Sequence, residues 1–159
     1  MPSLLQLYSL FEEERSRVLE RFVKVDIKHF YFSEVKKTWN SENLFRHILM
    51  SDYWLLGNLP GGEKLEVPVI ALKPGQDAKE KVSIDEVRDA LNFVSDIIKQ
   101  RLSYLGRQEE EEVIETFRGK QTRQAVISGF IFHELRHLGQ ITWLFKRSTG
   151  WTDKEIYSE

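Results

Sequence analysis

The stretch HELRHLGQITWLFKRSTG, residues 133–150, decides between two folds. Its first five residues match His-Glu-x-x-His, in which a zinc protease binds metal through the two histidines and uses the glutamate as general base. The extended protease motif needs Gly three residues and His six residues after the second histidine. Those places hold Gln140 and Trp143. The other version needs a glutamate from a further helix, yet only 22 residues follow His137 and they offer Glu155 and Glu159 in a short polar tail. Nothing upstream alternates like the strands of a protease sheet, so an HExxH zinc peptidase is the weakest reading.

The alternative is a long amphipathic helix. Val126, Phe130, His133, His137, Ile141 and Leu144 recur at three- and four-residue steps from about Thr122 to Arg147, with Gly150 as a stop signal. His133 and His137 then differ by about 40° in direction and about 6 Å in height. Two imidazoles so placed can reach one ion at about 2.0–2.1 Å. A lone inward histidine is more often a satisfied core residue; two at this spacing favour metal. On this helix Glu134 is expected beside the site, in a surface ion pair with Arg136 or a neighbouring cation.

Three further segments carry helical periodicity. The first covers residues 3–24, with Leu4, Tyr8, Phe11, Val18 and Phe22 on one side. The second opens at Asn40 or Ser41, either a good N-cap, and ends at Gly57. The third begins with a capping-box pattern at Ser83 and Glu86 and runs through Ile84, Val87, Leu91, Val94, Ile98 and Leu102 towards Gly106. Between the second and third lie residues 59–82, with Pro60, Pro68 and Pro74. That is far more chain than an antiparallel helix pair needs, which implies a crossover along a bundle, with a short extended piece at EVPVIAL. Residues 107–121 are a shorter connection whose acidic run, Glu109 to Glu112, is a solvated face. The fold class expected is all-α, a four-helix bundle with a long crossover between the second and third helices, residues 1–159 forming one domain.

Of the four histidines, His47 sits mid-helix between Leu44 and Ile48, with Trp54 two turns along on its side. In a bundle the middle of this helix can face the middle of the last one. His47, His133 and His137 would then make a three-ligand site with open positions, as catalytic metals require. His29 has no such setting and reads as a loop residue.

The pair HILMSDYWLLGNL and HELRHLGQITWLFKRSTG resembles the DinB/YfiT-like family of four-helix metal proteins. Carried over by position, the resemblance implies metal ligation by His47, His133 and His137, accompanied by Asp52, Trp54, Gly139 and Gln140. It also implies a divalent ion, often zinc or nickel, and members that are thiol-dependent transferases, isomerases or amide hydrolases. Ser51, Trp54 and Gln140 are the candidates for a substrate pocket, although core packing is the expected role of Trp54. No catalytic side chain is singled out.

Composition narrows the partners. With 23 basic against 25 acidic residues the net charge is −2, giving no electrostatic reason to expect nucleic acid or an anionic membrane. No apolar run approaches a membrane span, and the start lacks the basic lead and cleavage residues of a signal peptide. There is no cysteine, so any thiol nucleophile must come from an external low-molecular-weight thiol. The expectation is a cytoplasmic, metal-dependent hydrolase or thiol transferase acting on a small molecule, paired as a homodimer. A non-catalytic metal-binding or stress-response bundle is the competing class.

Overall fold

The structure is a computed structural model and describes residues 2–158. Four long helices form the bundle: α1 (Leu4–Val23), α2 (Ser41–Gly57), α3 (Ile84–Ser103) and α5 (Arg123–Thr149). Between α3 and α5 the chain adds a short helix, α4 (Arg107–Glu111), and a hairpin of β1 (Val113–Thr116) and β2 (Gly119–Thr122). A last short helix, α6 (Asp153–Tyr157), docks through the buried Ile156. Among the described residues no helix is long and apolar enough to cross a membrane.

The ends follow from local chemistry. Ser83 Oγ accepts from Glu86 N and the Glu86 carboxylate accepts from Ser83 N, both at 3.2 Å, as the SIDE pattern predicts. Asn40 caps α2 through Asn43 in the same reciprocal way. Gly150 closes α5 at φ 74°, a left-handed position that costs a side chain energy and glycine none.

Helices α1 and α2 each pack on both α3 and α5, so the order around the bundle is α1, α3, α2, α5. Consecutive α1 and α2 are therefore diagonal, joined by residues 24–40. The core between them is mainly apolar, with Phe22 meeting Phe30, Phe45 and Phe145 edge to face at one end, and holds a buried polar cluster around Arg15 and Asp52.

Two expectations need correction. The hairpin was not foreseen: its strands, VIET and GKQT, are four residues each and only half alternate, too short for a period to register. EVPVIAL contains no strand; it turns at Val69 and Ile70 and brings Ala71 and Leu72 into the core. The buried Glu42–Arg46 pair explains why: Arg46 donates to Ile70 O and Glu80 O, and Glu42 accepts from Val82 N. The crossover is thus bonded to α2 at its middle and its C-terminal end rather than paired in a sheet. The acidic run is solvated as expected, with no buried residue, while it forms the end of α4 and Glu112 pairs with Arg123. Of the tail residues, Glu155 caps α6 and Glu159 lies outside the described residues.

Candidate metal centre

His47, His133 and His137 come together, with one potential ligand atom from each within 4.8 Å of the others. The two on α5 point their Nε2 atoms at each other, 3.2 Å apart. Two ligands of a tetrahedral ion at about 2.05 Å would stand about 3.3 Å apart, so the spacing fits. The α2 ring closes the group, with centroids 5.4 Å from His133 and 4.8 Å from His137.

Each Nδ1 is engaged elsewhere. His47 Nδ1 donates to Leu72 O at 2.9 Å, and His137 Nδ1 donates to Gln140 Oε1 at 2.7 Å. His133 Nδ1 meets Ser51 Oγ at 3.4 Å. Outer partners of this kind fix the tautomer and aim the free nitrogen at the ion. Burial lowers the pKa of His47, with a smaller push from His137 against the Leu72 carbonyl. Burial also pushes His133 down to about 4, helped by the charges of His137, His47, Arg136 and Arg118. Both rings are therefore neutral at pH 7, the form that binds metal. The donor set fits a divalent ion.

The site lies at the edge of the bundle, not at its centre. The stripe read in the sequence is buried at Val126, Ile141 and Leu144, but in the middle turns of α5 the inward places belong to Ile131, Glu134 and Leu138, about one residue around from Phe130, His133 and His137. The two histidines are half-buried beside them, while His47 is 2% exposed. Two tryptophans flank His47: Trp39, its centroid 5.1 Å away, and Trp54, 6.1 Å away and edge-on.

The residues expected to form a pocket divide. Trp54 lines a cavity of about 940 Å³ that His133 also lines, bounded by the hairpin tip and the crossover. It is 36% exposed, so it is a wall and not the core residue expected of it. Ser51 is fully buried and Gln140 is exposed; neither lines the cavity, and both touch histidines of the cluster instead. Gly139 is exposed with open space around it. Asp52 faces away into the core. His29 stands outside the group and hydrogen-bonds Ser148.

Glu134 overturns its expectation outright. It is 0% exposed, and its step of about 100° from His133 carries it into the bundle interior. There it joins Asp52, Arg15 and Tyr8. Arg15 Nη1 donates to Asp52 Oδ2 at 2.7 Å and Tyr8 Oη donates to the same oxygen at 3.1 Å. Neither Glu134 oxygen finds a partner of good geometry. Burial raises its pKa well above the usual carboxylate range, and Asp52 adds to this against the opposing Arg15. Burial thus favours the protonated acid, so an amide can replace it without stranding a charge. Glu134→Gln is expected to keep its full metal content and to unfold within about 1 kcal/mol of the wild type, or later. Metal analysis and a denaturant melt check both; loss of a peptidase activity would restore the zincin reading.

The sequence missed Trp39, Leu72 and Arg15. A backbone carbonyl leaves no residue-type signal, and an arginine within FEEERSR reads as a solvated charge.

The DinB superfamily model matches residues 10–141. Among curated proteins none matches significantly. The crystal structure of the DinB-like protein YjoA from Bacillus subtilis superposes with a TM-score of 0.64, covering 93% of this chain and 94% of that one at 20% identity. At that identity the likeness speaks for the fold alone. With the helix order and three-histidine centre already in place, the family match over most of the chain makes this protein a member of the DinB superfamily.

Proposed function

We propose that the chain holds one divalent ion, zinc or nickel, through Nε2 of His47, His133 and His137, and uses it on a small molecule lodged beside His133. The carrying observation is the convergence of three nitrogens whose Nδ1 partners are already engaged. When bound, the ion supplies Lewis acidity and a position for water or an external thiol. The chain's own residues orient the rings, keep them neutral and wall the cavity. The absence of cysteine means that any thiol is a co-substrate. The reaction class is hydrolysis of an ester or amide, or transfer of a thiol to an electrophile. The cavity opening onto His133 favours a catalyst over a storage bundle, because a purely structural site is closed on all sides.

The test is turnover by zinc- or nickel-loaded protein of small esters and amides, and of electrophiles with a low-molecular-weight thiol. Metal retained with no turnover in either assay would leave a binding bundle. For assembly, the homodimer keeps its place as a proposal: Phe132, Leu135 and Trp143 stand exposed along one side of α5. A single monomer mass by light scattering at micromolar concentration would overturn the dimer.

A further inference from the structure

The cavity beside His133 carries information about what enters it. At about 940 Å³ it lies near the top of the range for small-molecule sites, roughly 300–1,000 Å³. Its walls are mainly apolar, Trp54, Leu65 and Phe130 among them, so most of a ligand's surface would meet carbon. Its charges are unbalanced: Lys64, Arg101 and Arg118 line it against the single carboxylate of Glu63. Arg101 is already committed, donating to Glu63 O. Arg118 is not, since among the described residues it has no carboxylate partner and only lies over the Phe117 ring, 5.2 Å from its centroid.

The two-residue tip of the hairpin, Phe117 and Arg118, is therefore an aromatic plate and a free guanidinium at the mouth of an apolar cavity. Phe117 is 90% exposed, an unusual position for a ring at the tip of a short hairpin. Arg118 is also close enough for its charge to reach His133. Anion and reacting centre would then lie within the span of one small molecule.

We infer that this cavity takes a small carboxylate with an apolar body, the carboxylate held by Arg118 at the hairpin tip and the body lying between Phe117, Trp54 and Phe130. The inference rests on the proposed function for what happens at the histidines, but not for binding. A guanidinium suits a carboxylate because two N–H groups meet two oxygens in one plane. Lys64 adds positive charge to the same mouth without competing for that geometry.

The experiment uses a matched pair, naphthalene-2-acetate and naphthalene-2-acetamide, titrated calorimetrically into the full chain. Each is measured with zinc and after chelation, on the wild type, Arg118→Gln and Phe117→Ala. The expected result is that the acid binds about tenfold more tightly than the amide, the difference one charge-assisted pair makes. Arg118→Gln should erase that preference while the amide still binds, and Phe117→Ala should weaken both. The acid preference should survive chelation. Equal binding of acid and amide by the wild type would overturn the inference, as would failure of both to bind. A preference that vanishes on chelation but persists in Arg118→Gln would assign the carboxylate to the ion, sinking the role of Arg118 while supporting the metal reading. Failure to load zinc, with the preference intact in the chelated protein, would sink the metal reading and leave this one standing.

Discussion

His47→Ala is expected to lose the metal and keep the fold. The wild type should carry one divalent ion per chain, and the variant close to none after dialysis at micromolar protein. Losing an outer hydrogen-bond partner already costs about 10–100-fold in affinity, so losing a ligand should exceed that. The two histidines left on α5 are one turn apart on one side of the ion and leave the other side to water. Circular dichroism should change little, because the helices bury their own apolar stripes and do not need the ion to fold, unlike a zinc finger. His133→Ala and His137→Ala should behave alike. His29→Ala is the control: it should keep its ion and lose about 1 kcal/mol at most, the worth of its bond to Ser148. Equal metal in wild type and His47→Ala would sink the three-histidine centre.

The largest loss of stability is expected from Arg15→Ala. Arg15 is 2% exposed and Asp52 is 0% exposed, and they are joined at 2.7 Å in the middle of the bundle. Burial alone would drive the guanidinium towards neutrality, yet the groups around it together outweigh that, Asp52 foremost, and hold the charge in place. Removing the cation leaves Asp52 buried beside Glu134 with only Tyr8 to bond it, in a space where a long side chain used to be. Breaking such a pair costs about 3–5 kcal/mol, which for a chain of this length is a fall in melting temperature of roughly 10 °C. Denaturant unfolding of the metal-free protein isolates the effect from the ion. A change below about 1 kcal/mol would show that the pair is not the anchor it looks to be. The contrast with Glu134→Gln, a few ångströms away in the same cluster and expected to be nearly silent, makes the comparison specific to the charge.

Much of this molecule was readable from periodicity and caps. The third helix is the clearest case, because a capping box and six apolar residues at helical steps all favour one conformation. The histidine centre was readable because only four histidines exist, and two lie one turn apart. The middle turns of the α5 stripe were misread by about one residue, for a physical reason. Glu134 occupies a core position that a charged residue would normally avoid, so pattern alone assigned the interior to its neighbours. What makes the position tolerable is burial that favours the protonated form of Glu134, beside the Arg15–Asp52 pair contributed by residues far away in sequence. The carbonyl of Leu72 and the hairpin tip were unreadable for a related reason. Backbone groups and two-residue turns acquire their role only from where the rest of the fold sets them down.

The bond from His47 to Leu72 O ties the centre to the crossover, and thermodynamic reciprocity does the rest. On the proposed reading, whatever steadies residues 59–82 against α2 also presents His47 in one tautomer and strengthens its hold on the ion. The converse holds with equal force: an ion on His47 makes that long segment harder to peel away from the bundle. The segment also walls the cavity through Leu65, Val67 and Pro74. Loading the metal and shaping the substrate chamber are then one equilibrium, and a protease nicking the crossover would report on both.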